Sequence, residues 1–93
     1  MTGWPASRHE EVQGRVRGIL IAVASQLPVF TVGLVDGMID ANECGVALEI
    51  MSEILVESGA VISAETLLDV SSLVGEMGLD QVNVDRLRAP REA

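Results

Sequence analysis

Residues 42–59, NECGVALEIMSEILVESG, decide how the chain folds. At 100° per residue, Ala47, Ile50, Met51, Ile54 and Leu55 gather on one face, while Glu49, Glu53 and Glu57 align on the other at successive i+4 steps. That is an amphipathic helix with one side for a core and one for water or a partner. Asn42 reads as its N-cap, Glu43 suits the positive end of the helix dipole, and Gly59 terminates it.

The same period extends in both directions. Upstream, Val12, Val16, Ile19, Leu20, Val23 and Leu27 form one stripe of a helix running from about Arg8 to Gln26, opened by a Ser7–Glu10 capping box and ended before Pro28. A short helix from about Thr31 to Asp40 turns Val32, Val35, Met38 and Ile39 inward, and Gly33 with Gly37 bares backbone for a neighbouring helix. Downstream, Ser63 caps a helix whose Leu67, Val70, Val74 and Met77 face in and whose Glu65, Asp69, Ser72 and Glu76 make a second polar stripe. Gly78 ends it, Asp80 caps a last short helix through Leu87, and Ala89-Pro90 begins a tail. No apolar–polar alternation persists over four residues between turn signals, so no strand competes.

The expected fold is therefore all-α: a small helical bundle of four helices plus a short C-terminal fifth. It forms a single domain over residues 7–88, with flexible ends at 1–6 and 89–93. Ile19, Leu20, Val23, Val35, Ile39, Ile50, Met51, Ile54, Leu67, Val70 and Val74 are its expected core.

Composition narrows the function. The 93 residues carry 14 acids against 6 arginines and no lysine, a net charge of −8 that repels nucleic acid and anionic lipid alike. The two aromatic residues, Trp4 and Phe30, supply no base-stacking platform. Nucleic acid is not an expected ligand. Gly18 to Val35 is uncharged, but it contains Ser25, Gln26, Thr31 and Leu27-Pro28 and continues a helix that is charged upstream, which argues against a membrane span. Glu10 and Glu11 spoil the start of a signal peptide, so the expected location is the cytoplasm. The absence of lysine suggests a GC-rich bacterial genome.

One histidine, His9, and one cysteine, Cys44, leave little for nucleophilic chemistry, which needs a nucleophile and a base within hydrogen-bond reach. Cys44 reads as a small buried side chain. No enzyme activity and no cofactor are expected. A metal site is not expected either: the carboxylates point outward with no histidine beside them, and Asp36 to Glu43 lacks the alternating pattern of a calcium loop.

The charge is segregated. Arg8, Arg15, Arg17, Arg86, Arg88 and Arg91 lie at the ends, whereas Gly18 to Asp85 holds eleven acids and no basic residue. Within that stretch nothing pairs them, so they either solubilise the domain or await a cationic partner. Val46 falls among Glu49, Glu53 and Glu57 on the helix wheel and Val56 beside Glu49, and apolar side chains inside an acidic face can anchor a contact that charge steers. The candidate partner-binding residues are Asp36, Asp40, Glu43, Val46, Glu49, Glu53, Val56, Glu57, Glu65 and Asp69.

The stretch from Val32 to Leu79 resembles small bacterial immunity proteins of the MafI family, which protect a cell against the toxin domain of a polymorphic toxin system. The resemblance rests on Asn42-Glu43-Cys44-Gly45-Val46-Ala47-Leu48-Glu49 after a short helix, Ile62-Ser63-Ala64-Glu65 opening the next helix, and Glu76-Met77-Gly78-Leu79 closing it. Cys44 departs from it, standing where an aromatic residue is expected. The resemblance implies a cognate toxin domain as partner, with inhibition by covering or distorting its active site. Many such toxins are nucleases, whose basic cleft an acidic helical face could occupy. The alternative is a self-associating or adaptor helical module with no toxin partner.

Overall fold

The computed structural model describes residues 5–88, and every regular element among them is helical. The order is α1 (Ala6–Val23), a 3-10 turn (Ala24–Gln26), α2 (Val29–Asp40), α3 (Cys44–Ser58), α4 (Ala64–Met77) and α5 (Val82–Arg88). The all-α bundle of four helices and a short fifth is the observed architecture. Residues 1–4 and 89–93, most of the two ends expected to be flexible, lie outside the described residues; Ala6 is already helical.

Local chemistry accounts for the punctuation. α2, α3 and α4 end alike, each with a residue in the left-handed region: Asn42 (φ 62°), Gly59 (φ 66°) and Gly78 (φ 70°). The paired bonds of a Schellman motif close all three ends, as in Glu43 N–H to the Met38 carbonyl (2.8 Å) with Asn42 N–H to that of Ile39 (3.0 Å). Asn42 therefore terminates α2 instead of capping α3, whose N-cap is Glu43 without a side-chain bond. Asparagine tolerates this conformation better than other non-glycine residues. Ser63 caps α4 as expected, its hydroxyl accepting from Thr66 N–H at 3.1 Å, and Asp80 accepts from Val82 N–H at 2.9 Å before α5.

Two other helix starts differ from expectation. No Ser7–Glu10 capping box forms, because Pro5 is the N-cap and its carbonyl accepts from the Arg8 and His9 N–H groups, so both residues lie within α1. The Arg8–Gln26 helix likewise gives way to a 3-10 turn after Val23. α2 begins at Val29, directly after Pro28, whose fixed φ suits the residue before a helix.

Around α3 pack α1, α2, α4 and α5. Its buried residues are Cys44, Ala47, Leu48, Met51, Ser52 and Leu55. Ile50 and Ile54, expected inside, are half-buried at the rim, and Leu67 of α4 yields in the same way to Leu73. The buried face of α3 is rotated toward Leu48 and Ser52 because α5 covers that side with Val84 and Leu87. The rest of the expected core, Ile19, Leu20, Val23, Val35, Ile39, Met51, Val70 and Val74, is buried.

Polar contacts fix the outer helices. Gln13 donates to the Ile39 carbonyl at 2.9 Å, setting α1 antiparallel to α2. Gln26 both donates to the Val61 carbonyl and accepts from Val61 N–H, tying the 3-10 turn to the α3–α4 connection. No buried side-chain nitrogen or oxygen among the described residues lacks a partner.

Candidate partner-binding site

The structure sorts the acids by whether an arginine of α1 reaches them. Arg17 takes Asp36 (3.0 Å) and Asp40 (2.9 Å) of α2. On the opposite flank Arg15 contacts both carboxylate oxygens of Glu76 at 3.1 Å, Arg8 adds a second ion pair to it, and Ser72 donates at 2.9 Å. The Arg8 hydrogen bond, followed by those from Ser72 and Arg15, holds the Glu76 carboxyl down at about 2. Nothing within Gly18–Asp85 pairs the eleven acids, but three of them find partners outside that stretch, in α1, 19 to 68 positions away in sequence. Such surface pairs add little stability, and their consequence here is which carboxylates remain available.

The available ones concentrate on α3. Among the described residues Glu43, Glu49, Glu53, Glu57, Glu65 and Asp69 enter no ion pair, and all are exposed. Glu49, Glu53, Val46 and Glu57 occupy one 80° arc of the α3 wheel, opposite its buried residues, and Val46 stands 43% exposed among the three glutamates. Val56 is half-buried at the edge of this face and packs against the core, so it supports the surface more than it projects from it. Glu65 and Asp69 stand on the outer face of α4, while Asp36 and Asp40 belong to the α1–α2 seam. The ten candidate residues are therefore one contiguous stripe on α3 with outlying acids on three neighbouring segments.

At the N-terminal end of the stripe is a feature the sequence did not disclose, a cavity of about 340 Å³ where α1, the α2–α3 turn and the end of α4 converge. Val12, Cys44, Gly45 and Met77 give it apolar walls; Glu43, Asn42 and Glu76 bring polar groups, and Val46 joins it to the stripe. The Asn42 amide donates to His9 Nδ1 across it at 3.2 Å, coupling the α2–α3 turn to α1. Cys44 is buried, and burial pushes its thiol up despite the opposing influence of Arg17, the reverse of what activates a nucleophilic cysteine. Chemically the site offers carboxylates around an apolar centre, the complement of arginine and lysine side chains with their apolar stems.

Gly33 and Gly37 do not serve close packing within the chain. A Cβ built on either meets nothing within 4 Å, so the bared backbone faces outward and not a neighbouring helix. No helix among the described residues is long and apolar enough to cross a membrane, and no group of three or more acids, histidine or cysteine among them could hold a metal ion. Compared with known protein families, curated proteins and solved structures, the chain matches none.

Proposed function

We propose that this chain is a protein-binding helical module that works as an immunity protein, capturing a basic toxin domain, such as a nuclease, on the outer face of α3. The observation that carries the reading is the division among the carboxylates: α1 neutralises Asp36, Asp40 and Glu76, yet leaves Glu49, Glu53 and Glu57 unpaired around exposed Val46. Like charges at i+4 cost an isolated helix roughly 0.2–0.5 kcal/mol per pair, so the chain carries this stripe, which none of the α1 arginines reaches, slightly against its own stability. A cationic cleft would relieve the repulsion on binding and convert it into attraction. Glu43 extends the surface at the cavity; Glu65 and Asp69 add to the long-range field without belonging to the contact. The resemblance to MafI-family proteins supplies the biological setting and a cytoplasmic site of action, and no chemistry of the chain's own is required.

The test is co-expression with the product of a neighbouring toxin gene. The expected result is a stoichiometric complex that survives purification and suppresses the toxin's activity. Val46→Glu should abolish both without altering the helical content of the free protein. Suppression that is unchanged in Val46→Glu and in Glu49→Lys with Glu53→Lys would remove α3 from the mechanism.

A further inference from the structure

The outer face of α2 is apolar and uncovered. Thr31, Val35 and Ile39 are buried, while on the opposite side Phe30, Gly33, Leu34, Gly37 and Ala41 follow one another at i, i+3, i+4, i+7 and i+11, all exposed and none charged. A helix apolar on both faces is normally buried on both. Val29 is 89% exposed, Phe30 79% and Leu34 42%. Ile21 of α1, 73% exposed, lies one turn beyond Arg17 and 40° round the helix, so it borders the same strip where α1 runs antiparallel to α2.

We propose that this face receives a second copy of the chain, with the two α2 helices crossing about a twofold axis. Three features select that occupant. The strip carries large side chains, Phe30 and Leu34, beside bare backbone at Gly33 and Gly37, where a built Cβ meets nothing. One helix thus presents both knob and hole, the self-complementarity that an isologous contact requires. The strip also has no charge, and the nearest acids, Asp36 and Asp40, are already held by Arg17, so two chains of net charge −8 meet there without opposing free carboxylates. Finally, at about 150–200 Å² for a fully exposed large side chain, Ile21, Val29, Phe30 and Leu34 offer on the order of 500 Å² per copy, or about 1,000 Å² in all, at the lower bound of a specific interface.

This interface is separate from the α3 face, and salt tells the two apart: added salt screens repulsion between like-charged copies and tightens the dimer, whereas it weakens capture of a basic partner. Sedimentation equilibrium of the full chain across the micromolar range should give a species of twice the 9.9 kDa chain mass, favoured by salt. Phe30→Asp with Leu34→Asp should weaken it at least about thirtyfold, the size of a hot-spot loss. Both positions are exposed, so the helical content should stay that of the wild type. Gly37→Leu, which fills the hole, should weaken it as well, and Glu49→Lys with Glu53→Lys should leave it intact. A single-chain mass at every concentration would overturn the proposal, as would a dimer that none of the α2 substitutions weakens.

Discussion

Leu48 provides the sharpest test of how α3 is seated. It is 1% exposed and lies on the side of α3 that meets Val74 and Val84, whereas Ile54 sits at the rim. Replacing a fully buried leucine by alanine removes its transfer free energy and leaves a void, a loss of about 2–5 kcal/mol. With α4 and α5 both against this part of α3 there is little room to collapse, which places Leu48→Ala near the middle, at about 3 kcal/mol. In a domain of this size that lowers Tm by roughly 12–24 °C, and it moves a urea midpoint by about 3 M if the slope is near 1 kcal/mol/M. Ile54→Ala should cost at least about 1 kcal/mol less, because part of its side chain is already hydrated. Urea melts followed by far-UV circular dichroism on both variants and the wild type decide the matter. If Ile54→Ala is the more damaging substitution, or Leu48→Ala falls within about 0.5 kcal/mol of wild type, α5 does not cover α3 and the core is seated as the sequence period alone would place it.

The Glu76 cluster predicts a pH signature. Its folded pKa is depressed to about 2, so its contribution is complete above the ordinary carboxylate value near 4.5 and is lost as pH falls through the folded value. The Tm gap between wild type and Glu76→Gln should accordingly be constant at neutral pH and close between those two values. Asn42→Val should destabilise by about 1–2 kcal/mol, since a β-branched residue resists φ 62°, while Asn42→Gly should be neutral or mildly stabilising; paired thermal melts give both. Gly18 lies within α1 with open space around its missing Cβ, so Gly18→Ala should stabilise by about 0.5–1 kcal/mol in the same assay.

What could be read in advance divides along a physical line. Most features set within one turn of helix were legible: the Ser63 cap, the glycine stops at 59 and 78, and the exposed Glu49, Glu53 and Glu57 stripe. Features set by a distant segment were not. The α3 wheel is apolar over most of its circumference, so whether Leu48 or Ile54 goes deepest depends on where α5 lies, which no local period encodes. Two local signals were ambiguous in themselves: Asn42 suits both an N-cap and a left-handed helix end, and the Met38–Glu43 bond selects the second, while Pro5 takes the cap position that Ser7 also suits. The arginines looked segregated from the acids along the chain, yet the fold lays α1 against α2 and α4 and pairs them. The cavity beside Val46 escaped notice for the same reason, because its walls come from α1, α3 and α4.

The claim that α3 presents the partner-facing surface is tested most directly by the rate of association with a purified cognate toxin domain, measured against ionic strength. Wild-type protein should associate fast at low salt and slow steeply as salt rises, over a screening length of about 10 Å at 0.1 M. Glu49→Lys with Glu53→Lys should associate more slowly with a flattened salt dependence, and Val46→Ala should leave the association rate near wild type while speeding dissociation. Identical rates and slopes for wild type and the double variant would contradict the assignment and reduce the stripe to a solvated helix face.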